Sequence, residues 1–530
     1  MLFTSYAFLS FLLVVFIVYY LLPGRAQWSY LLLASYAFYY MCDPRYLIFI
    51  AITTVSTFFA AKVISDKKVA FDAWFKEHKK EYEKEERKAL KSKEQSAEKK
   101  IFLACLLFNL GILAVTKYTN FTIANINSII SAFGSPSGIS FVDLIIPMGI
   151  SFYTFQSMGY LIDVYNGKFE AQKNLFKFAL FVSFFPQLVQ GPISRYADLS
   201  QTLFEEHRFN WRTVSFGLER ILWGFFKKLV IADRILVAVK AIIASPDTYN
   251  GFYAFAGAMF YALELYADFT GGIDITIGVA ETMGIKVTEN FRRPYFSKNI
   301  KEYWNRWHIT MGTWFTDYIF YPISASQFMM KLSKKSRVRL GNNLGKRVPV
   351  YLSSFIVWFT TGIWHGASWN FIVWGLGNFV VIMISQELEP FYRWFHSKVK
   401  VEGTFGWKLF RVVRTVLIMS SLRMFDCYRN VPLTFKMFGS IFSQSSLSQL
   451  NAEAFIGMGI TGYDYAVVFV GMLVLVAVSL IQRSGSVRGK IAAKAAPVRF
   501  IIWYGLFMAT VVFGAYGIGY SASQFIYNQF

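Results

Sequence analysis

The chain has 530 residues, of which 55% are hydrophobic and only 16% are charged, whereas soluble globular proteins carry about a quarter charged residues. The hydrophobic residues form long runs, and a run of about 20 residues matches the thickness of a bilayer. These values exclude a secreted, disordered or ordinary cytosolic protein and predict an all-α polytopic membrane protein. The net charge is +22. Because the basic residues lie beside hydrophobic runs, we attribute this charge to cytoplasmic loops and not to nucleic acid binding.

Three hydrophobic runs open the chain, at residues 3–22, 28–41 and 47–64. The first run has neither a basic flank nor a small-residue cleavage site, so we interpret it as a retained span and not as a signal peptide. The next segment, residues 65–100, contains 12 Lys or Arg against 9 Asp or Glu. Such mixed charge predicts a solvated helix or helical hairpin. We interpret it as a charged cytoplasmic connector, with a partner-docking arm as the alternative.

Further hydrophobic runs follow, at residues 101–116, 141–161, 175–189, 252–265, 348–364, 370–385, 465–481 and 500–519. Between them, residues 331–347 and 482–499 contain seven and five basic residues respectively and no acidic residue. Placing these two segments and residues 65–100 in the cytoplasm puts both termini outside. We expect one membrane domain over residues 1–530, with a catalytic core at 141–386 and a basic cytoplasmic loop at 331–347. Its fold would have about eleven spans and several re-entrant or interfacial helices.

Polar residues are densest between Tyr266 and Trp374, inside otherwise hydrophobic sequence. Ionisable groups at membrane depth are costly and therefore mark functional sites. The candidates for supporting a reaction or lining a tunnel are Asp268, Thr270, Asp317, Tyr318, Trp364 and Asn370.

Two of the five histidines, His308 and His365, are flanked by tryptophan and adjoin hydrophobic runs. Histidine is well suited to take a proton near neutral pH, and a hydrophobic pocket keeps it uncharged. We therefore expect both to be catalytic. The alternative is an interhelical hydrogen bond or, for His308, a structural polar network with Arg306 and Asp317. No metal site is predicted, because no third histidine and no Cys or Glu cluster lies near the pair.

Arg292, Arg293 and Arg306 form a basic group next to His308. Arginine binds phosphate through two parallel hydrogen bonds, so this group, with Trp307, is the candidate binding site for a phosphorylated donor such as coenzyme A. The alternative is the ordinary excess of basic residues on the cytoplasmic side of a membrane protein.

Several motifs in this order resemble the membrane-bound O-acyltransferase family, and in particular its bacterial branch of alginate O-acetylation proteins. The motifs are IPMGISFYTFQ (146–156), FFPQLVQGPISRY (184–196), DFTG (268–271), ENFRRPY (289–295), RWHI (306–309), WHGA (364–367) and QFIYNQF (524–530). The sequence departs from relatives at Thr316, where they often have Arg, at residues 323–325, and in the SLRMFD element at 421–426.

The resemblance implies a ring of helices around a thin central core, with a funnel on one side and a tunnel on the other. It assigns His365 as the active-site histidine and His308 as the second required histidine, and its first two motifs add Gln156 and Arg195 to the supporting residues. It also implies a bacterial inner-membrane enzyme that takes an acyl group from a cytoplasmic thioester, acetyl-CoA or a carrier protein, without a permanently bound cofactor. An extracytoplasmic acetyltransferase of the SGNH type then places the group on a surface polysaccharide, such as alginate, cellulose or a peptidoglycan-like polymer.

Other functions remain open at this stage. The first alternative is D-alanyl transfer to teichoic acid from a carrier protein. A second is a transporter of a polysaccharide or lipid-linked precursor, in which the histidines relay protons. A third is a structural scaffold for a synthase complex, in which the histidines carry no chemistry. The absence of an inverted sequence repeat argues against common transporter folds.

Overall fold

The structure is a computed structural model that describes residues 5–134 and 138–516, and these ranges contain helices and no strand. The C-terminal motif at 524–530 and the ends of the runs at 3–22 and 500–519 lie outside the described residues. The chain forms two compact units. The first comprises Met1–Val214 and Ala280–Thr288, and the second comprises Ser215–Val279 and Glu289–Phe530.

Eight helices lie entirely in the first unit. They are α1 (Tyr6–Leu21), α2 (Gly24–Cys42), α3 (Tyr46–His78), α4 (Lys84–Ala132), α5 (Ile150–Tyr165), α6 (Leu175–Ser183), α7 (Phe185–Leu188) and α8 (Tyr196–Leu203).

The remaining described helices belong wholly or partly to the second unit. They are α9 (Trp211–Phe225), α10 (Asp233–Ala244), α11 (Phe252–Thr282), α12 (Ile300–Trp304), α13 (Ile309–Phe315), α14 (Tyr321–Ser324), α15 (Gln327–Gly345), α16 (Val348–His365), α17 (Trp369–Glu387), α18 (Glu389–Lys398), α19 (Phe405–Tyr428), α20 (Val431–Ser443), α21 (Ala452–Ile456), α22 (Gly462–Ile481), α23 (Val487–Ala492) and α24 (Ala496–Phe513). Two π-helical segments, Phe226–Ala232 and Thr316–Phe320, continue α9 and α13. Short 3-10 turns occur at Pro294–Phe296, Leu447–Gln449 and Gln482–Ser484.

Five described helices are long and apolar enough to cross a membrane, namely α3, α4, α17, α22 with the turn after it, and α24. The apolar helix α1 is shorter. Together with the all-helical content, they confirm the predicted all-α polytopic membrane fold. The count of about eleven spans stays a prediction, because several other helices are short or carry charged residues.

The charged segment at residues 65–100 contains the end of α3 and the beginning of α4, with the chain reversing between them. Glu83 begins α4 with a capping box, in which its side chain accepts from the backbone of Glu86 and the Glu86 carboxylate accepts from the backbone of Glu83. Such reciprocal bonds satisfy N–H groups that the first helical turn leaves open.

The segment at residues 331–347, which we expected to be a loop, is mostly helical. It falls in α15, which Ser326 caps by accepting from the Met329 N–H, and which is interrupted at Gly341, where φ is 77°. The segment forms a helix because Lys, Arg and Leu are good helix formers and the segment is rich in all three. The basic charge therefore lies on a helix.

Candidate active site

His308 stands directly before α13, in a left-handed backbone conformation with φ of 47°. This backbone conformation is uncommon for residues other than glycine, and the residues that adopt it are often found at functional sites. The side chain is fully buried. Its ring packs against Phe269 at 5.0 Å and Phe291 at 6.5 Å between centroids.

Asn290 holds the polar side of His308. The Asn290 Oδ1 atom lies 3.3 Å from His308 Nδ1 and accepts hydrogen bonds from both the backbone N–H and the hydroxyl of Thr310, at 3.1 and 2.9 Å. Backbone bonds also join the two segments, because Ile309 N–H donates to the Asn290 carbonyl at 2.9 Å. A buried amide so connected fixes both the position and the orientation of the neighbouring imidazole.

His365 is the last residue of α16 and is also buried. Its ring packs edge-on against Trp374 at 4.5 Å and against Trp364 at 5.1 Å, and it stacks with Phe371 at 6.4 Å. Three aromatic rings from α16 and α17 therefore enclose the imidazole, and one of them, Trp364, directly precedes His365 in the sequence.

Glycines allow α16 and α17 to approach closely enough for this enclosure. A Cβ atom at Gly362 would lie 2.6 Å from the Phe371 carbonyl oxygen, and one at Gly375 would lie 2.5 Å from the Trp358 carbonyl oxygen. Both distances are too short for a real contact. The glycines thus set the distance between the helix that carries His365 and the helix that carries Trp374.

Trp364 joins the two histidines. Its ring centroid lies 6.0 Å from that of His308 and 5.1 Å from that of His365. Desolvation by burial lowers the pKa of His308, which lies outside the five candidate spans, and the charge of Arg423 lowers it further. An imidazole that stays neutral is able to accept a proton or a hydrogen bond.

A cavity of about 830 Å³ lies in the second unit, with Arg292 and Arg293 in its wall. Phe291 also lines it and contacts the rings of Trp307 and His308 at 5.1 and 6.5 Å. Its size is typical of sites for small molecules. The wall combines charged and polar residues with an aliphatic part that includes Val474, Leu475, Val478, Ile502, Leu506 and Ala509.

Other charged groups that line the cavity form one network. Arg220 binds Glu289 through two bonds of 2.6 Å and binds Asp274 at 2.8 Å. Lys227, in the π-helical segment, binds Asp274 at 2.6 Å and the Thr270 hydroxyl at 2.8 Å. The network therefore connects α9 and α11 to Glu289, the residue that precedes Asn290. The π-helical turn that carries Lys227 is of a kind that is frequent at functional sites.

Several of the other expected site residues have polar partners of their own. Arg306 forms an ion pair with Glu302 at 2.6 Å, and Asp268 pairs with the Lys228 ammonium at 2.6 Å. Asn370 donates to the Phe425 carbonyl at 3.1 Å and accepts from the Ser368 hydroxyl at 2.5 Å. It therefore joins the start of α17 to α19.

The other expected residues are Asp317, Tyr318, Gln156 and Arg195. Asp317 is exposed, and Tyr318 packs on Trp314 at 5.2 Å. Gln156 and Arg195 belong to the first unit, where Gln156 donates to the Phe181 carbonyl at 2.9 Å and Arg195 precedes α8.

Arg423 and Asn290 are parts of the site that the sequence did not identify. The Arg423 guanidinium is buried and lies 4.9 Å from the ring of Trp307 and 5.0 Å from the ring of Trp374. One sequence signal was present for Arg423, namely its place directly after an uncharged stretch of α19 at residues 415–422. The described residues contain no group of three or more His, Cys, Asp or Glu side chains placed to hold a metal ion.

Comparison with known proteins shows the family to which the chain belongs. The model of the membrane-bound O-acyltransferase family matches residues 171–427, which include both histidines. A probable alginate O-acetylase of Azotobacter vinelandii is 32% identical over 85% of this chain and 80% of the relative. A peptidoglycan O-acetyltransferase of Helicobacter pylori is 28% identical over 73% of this chain and 70% of the relative.

A more distant relative is a teichoic acid D-alanyltransferase of Bacillus subtilis, which is 29% identical over 48% of this chain and 63% of the relative. The relatives share acyl transfer in their names and differ in the group transferred and in the acceptor. The chain therefore belongs to the membrane-bound O-acyltransferase family and is an O-acyltransferase with several membrane-spanning helices.

Proposed function

We propose that this enzyme moves an acetyl group from a cytoplasmic thioester, acetyl-CoA, across the bacterial inner membrane for O-acetylation of a surface polysaccharide. The observation that carries the proposal is the pair of buried imidazoles, His308 and His365, joined through the Trp364 ring. The similarity to alginate and peptidoglycan O-acetylating proteins supports acetyl as the transferred group.

His365 acts as the general base of the reaction. It removes the proton of an acceptor hydroxyl, whose oxygen attacks the thioester carbonyl. When the intermediate collapses, the carbon–sulfur bond breaks and the thiolate takes the proton back from the imidazolium. General-base catalysis of this kind contributes about 10²- to 10⁴-fold in rate. His308, held by Asn290, positions the donor beside it.

The 830 Å³ cavity receives the phosphorylated arm of the donor. Arg292 and Arg293 bind its phosphates, since guanidinium groups pair well with phosphate oxygens. The aliphatic wall accommodates the uncharged part of the arm, and Phe291 leads from the cavity to the ring of His308. Arg306 acts indirectly here, because it also donates to the Arg293 carbonyl, at 3.4 Å.

The acetyl group reaches the surface polysaccharide on the outer side of the membrane. We propose that an SGNH-type acetyltransferase or related polymer machinery takes the acetyl group there, and that both chain termini face that side. The charged segment at residues 65–100 and the basic helix α15 then face the cytoplasm, in agreement with the excess of basic residues on that side of membrane proteins.

The donor is tested with purified enzyme in lipid nanodiscs. Acetyl-CoA labelled in the acetyl group is supplied with oligomers of alginate, cellulose and peptidoglycan, and label in the oligomers is counted with and without an SGNH-type partner. We expect transfer that depends on His365. Transfer by the His365→Ala variant at the wild-type rate would refute the base assignment.

D-alanyl transfer from a carrier protein is the second candidate, favoured by the similarity to teichoic acid D-alanyltransferase. It predicts no use of acetyl-CoA and transfer of labelled D-alanine from a charged carrier to lipoteichoic acid. Running both donors on the same nanodisc preparation separates the two functions, because each predicts activity where the other predicts none.

A further inference from the structure

Arg423 is a buried cation at the meeting point of the two histidine segments. Arg423 is only 3% exposed. Burial of a guanidinium is costly unless other groups compensate for the loss of its hydration. The Asp426 carboxylate, one turn further along α19, lies 3.7 Å away.

Three tryptophan rings surround the Arg423 guanidinium. Its central carbon lies 4.9 Å from the centroid of Trp307, 5.0 Å from that of Trp374 and 5.8 Å from that of Trp304. All three distances are within the range of about 6 Å in which a cation is attracted to an aromatic face, and this attraction is strongest when the cation is desolvated.

Two of these rings are next to the catalytic histidines. Trp307 immediately precedes His308, whose left-handed conformation makes its position dependent on its neighbours. Trp374 contacts the ring of His365 edge-on at 4.5 Å. The same turn of α19 also holds α17, because the Phe425 carbonyl accepts from Asn370. One guanidinium thus contacts both histidine segments at once.

We infer that Arg423 is a positioning residue, which holds Trp307 and Trp374 and thereby fixes the separation of the His308 and His365 rings. The inference rests on the proposed function of the two histidines. Arg423 is not among the described residues that line the cavity. Its loss should therefore lower kcat and leave the KM for the donor nearly unchanged.

The test measures kcat and KM of Arg423→Gln and Arg423→Lys in nanodiscs, as release of coenzyme A thiol from acetyl-CoA in the presence of acceptor oligomers. We expect Arg423→Gln to lower kcat at least tenfold with KM within twofold of wild type. Arg423→Lys should retain more activity, since lysine keeps the charge but not the planar group that stacks on tryptophan. Lys408→Gln, an exposed cation on the same helix, should leave both constants unchanged.

A double-mutant cycle of Arg423→Lys with Trp374→Phe separates positioning from general loss of folded protein. If Arg423 acts through Trp374, the two losses in kcat are not additive. Additive losses, a change confined to KM, or wild-type kcat per folded enzyme in Arg423→Gln would each overturn the inference. If Arg423→Gln does not fold, the double-mutant cycle of Arg423→Lys with Trp374→Phe tests the inference by itself. Wild-type turnover by His365→Ala in the same assay would instead refute the proposed function.

Discussion

At the scale of single residues, the site depends on side chains that bind other side chains and do not themselves react. Asn290 is the clearest case, since its one oxygen accepts two hydrogen bonds from Thr310 and faces Nδ1 of His308. A buried amide in this position selects the orientation of the imidazole ring, and with it the nitrogen that faces the substrate.

We predict that Asn290→Leu destabilises the protein by about 1–3 kcal/mol, because it leaves the buried Thr310 donors without an acceptor. It should also lower kcat, because the ring of His308 loses its polar neighbour. Thr310→Val is the matched control. It removes one of the donors to the same oxygen and keeps the backbone N–H, so its loss in thermal stability should be the smaller. Equal stability of Asn290→Leu and wild type would contradict this role.

The sequence identified both histidines because each is a rare polar residue within aromatic and hydrophobic sequence. It gave Asp268 and Asn370 as supporting residues without identifying their partners, which are Lys228 and the Phe425 carbonyl. Those partners are 40 and 55 residues away. A local pattern shows that a buried polar group needs a partner but not which distant group provides it.

At the scale of elements, the pairing of α16 with α17 places His365. Gly362 and Gly375 lie where each helix meets the backbone of the other, and neither leaves room for a Cβ atom. Small residues at such points are typical of membrane helices that pack closely. The packing role of Gly362 and Gly375 emerged only from the structure.

We predict that Gly375→Ala separates α16 from α17 and moves Trp374 away from His365. Overpacking of this kind costs about 1–3 kcal/mol, so the unfolding temperature in detergent and kcat should both fall. Gly439→Ala is the control, because a Cβ atom there meets nothing within 4 Å, and alanine favours a helix by up to about 1 kcal/mol over glycine. A Gly375→Ala enzyme as stable and active as the control would contradict the packing role.

The network around Arg220 gives a second prediction at this scale. Arg220→Met leaves Glu289 without its bidentate partner and Asp274 with Lys227 alone, so the cavity wall next to Arg292 should loosen and become more negative. We expect a higher KM for acetyl-CoA, by about tenfold, since repulsion of the donor phosphates costs about 1.4 kcal/mol at that ratio. Arg25→Met is the control, an exposed cation whose partner Glu206 is also exposed. An unchanged KM for acetyl-CoA would contradict binding of the donor phosphates in this cavity.

At the scale of the whole molecule, composition and hydrophobic runs were enough to predict an all-helical membrane protein, because the bilayer permits few other spanning structures. They did not predict the helical form of residues 331–347 or the π-helical segments. Both depend on local backbone choices that hydropathy does not describe. The family was indicated by the order of its motifs, several of which are now seen to surround the histidine pair.

Membrane orientation is testable with single cysteines. We predict that Ser92→Cys and Lys335→Cys react with an impermeant maleimide only after the membrane is opened, because positively charged segments stay in the cytoplasm. Ser446→Cys, between α20 and α21, should react in intact cells. All three positions are exposed, and the background should have Cys42 replaced by serine, because it is partly exposed whereas Cys105 and Cys427 are buried. Reversed labelling would invert the proposed topology.

The central claim is that the His365 imidazole is the base for acyl transfer. The most direct measurement is the single-turnover rate of acetyl transfer by His365→Gln in nanodiscs, with the dissociation constant of acetyl-CoA measured on the same preparation. We predict that His365→Gln transfers acetyl at a rate at least about 10²-fold below that of wild type, with an affinity for acetyl-CoA within twofold of the wild-type value. A rate equal to that of wild type, at equal donor affinity, would contradict it.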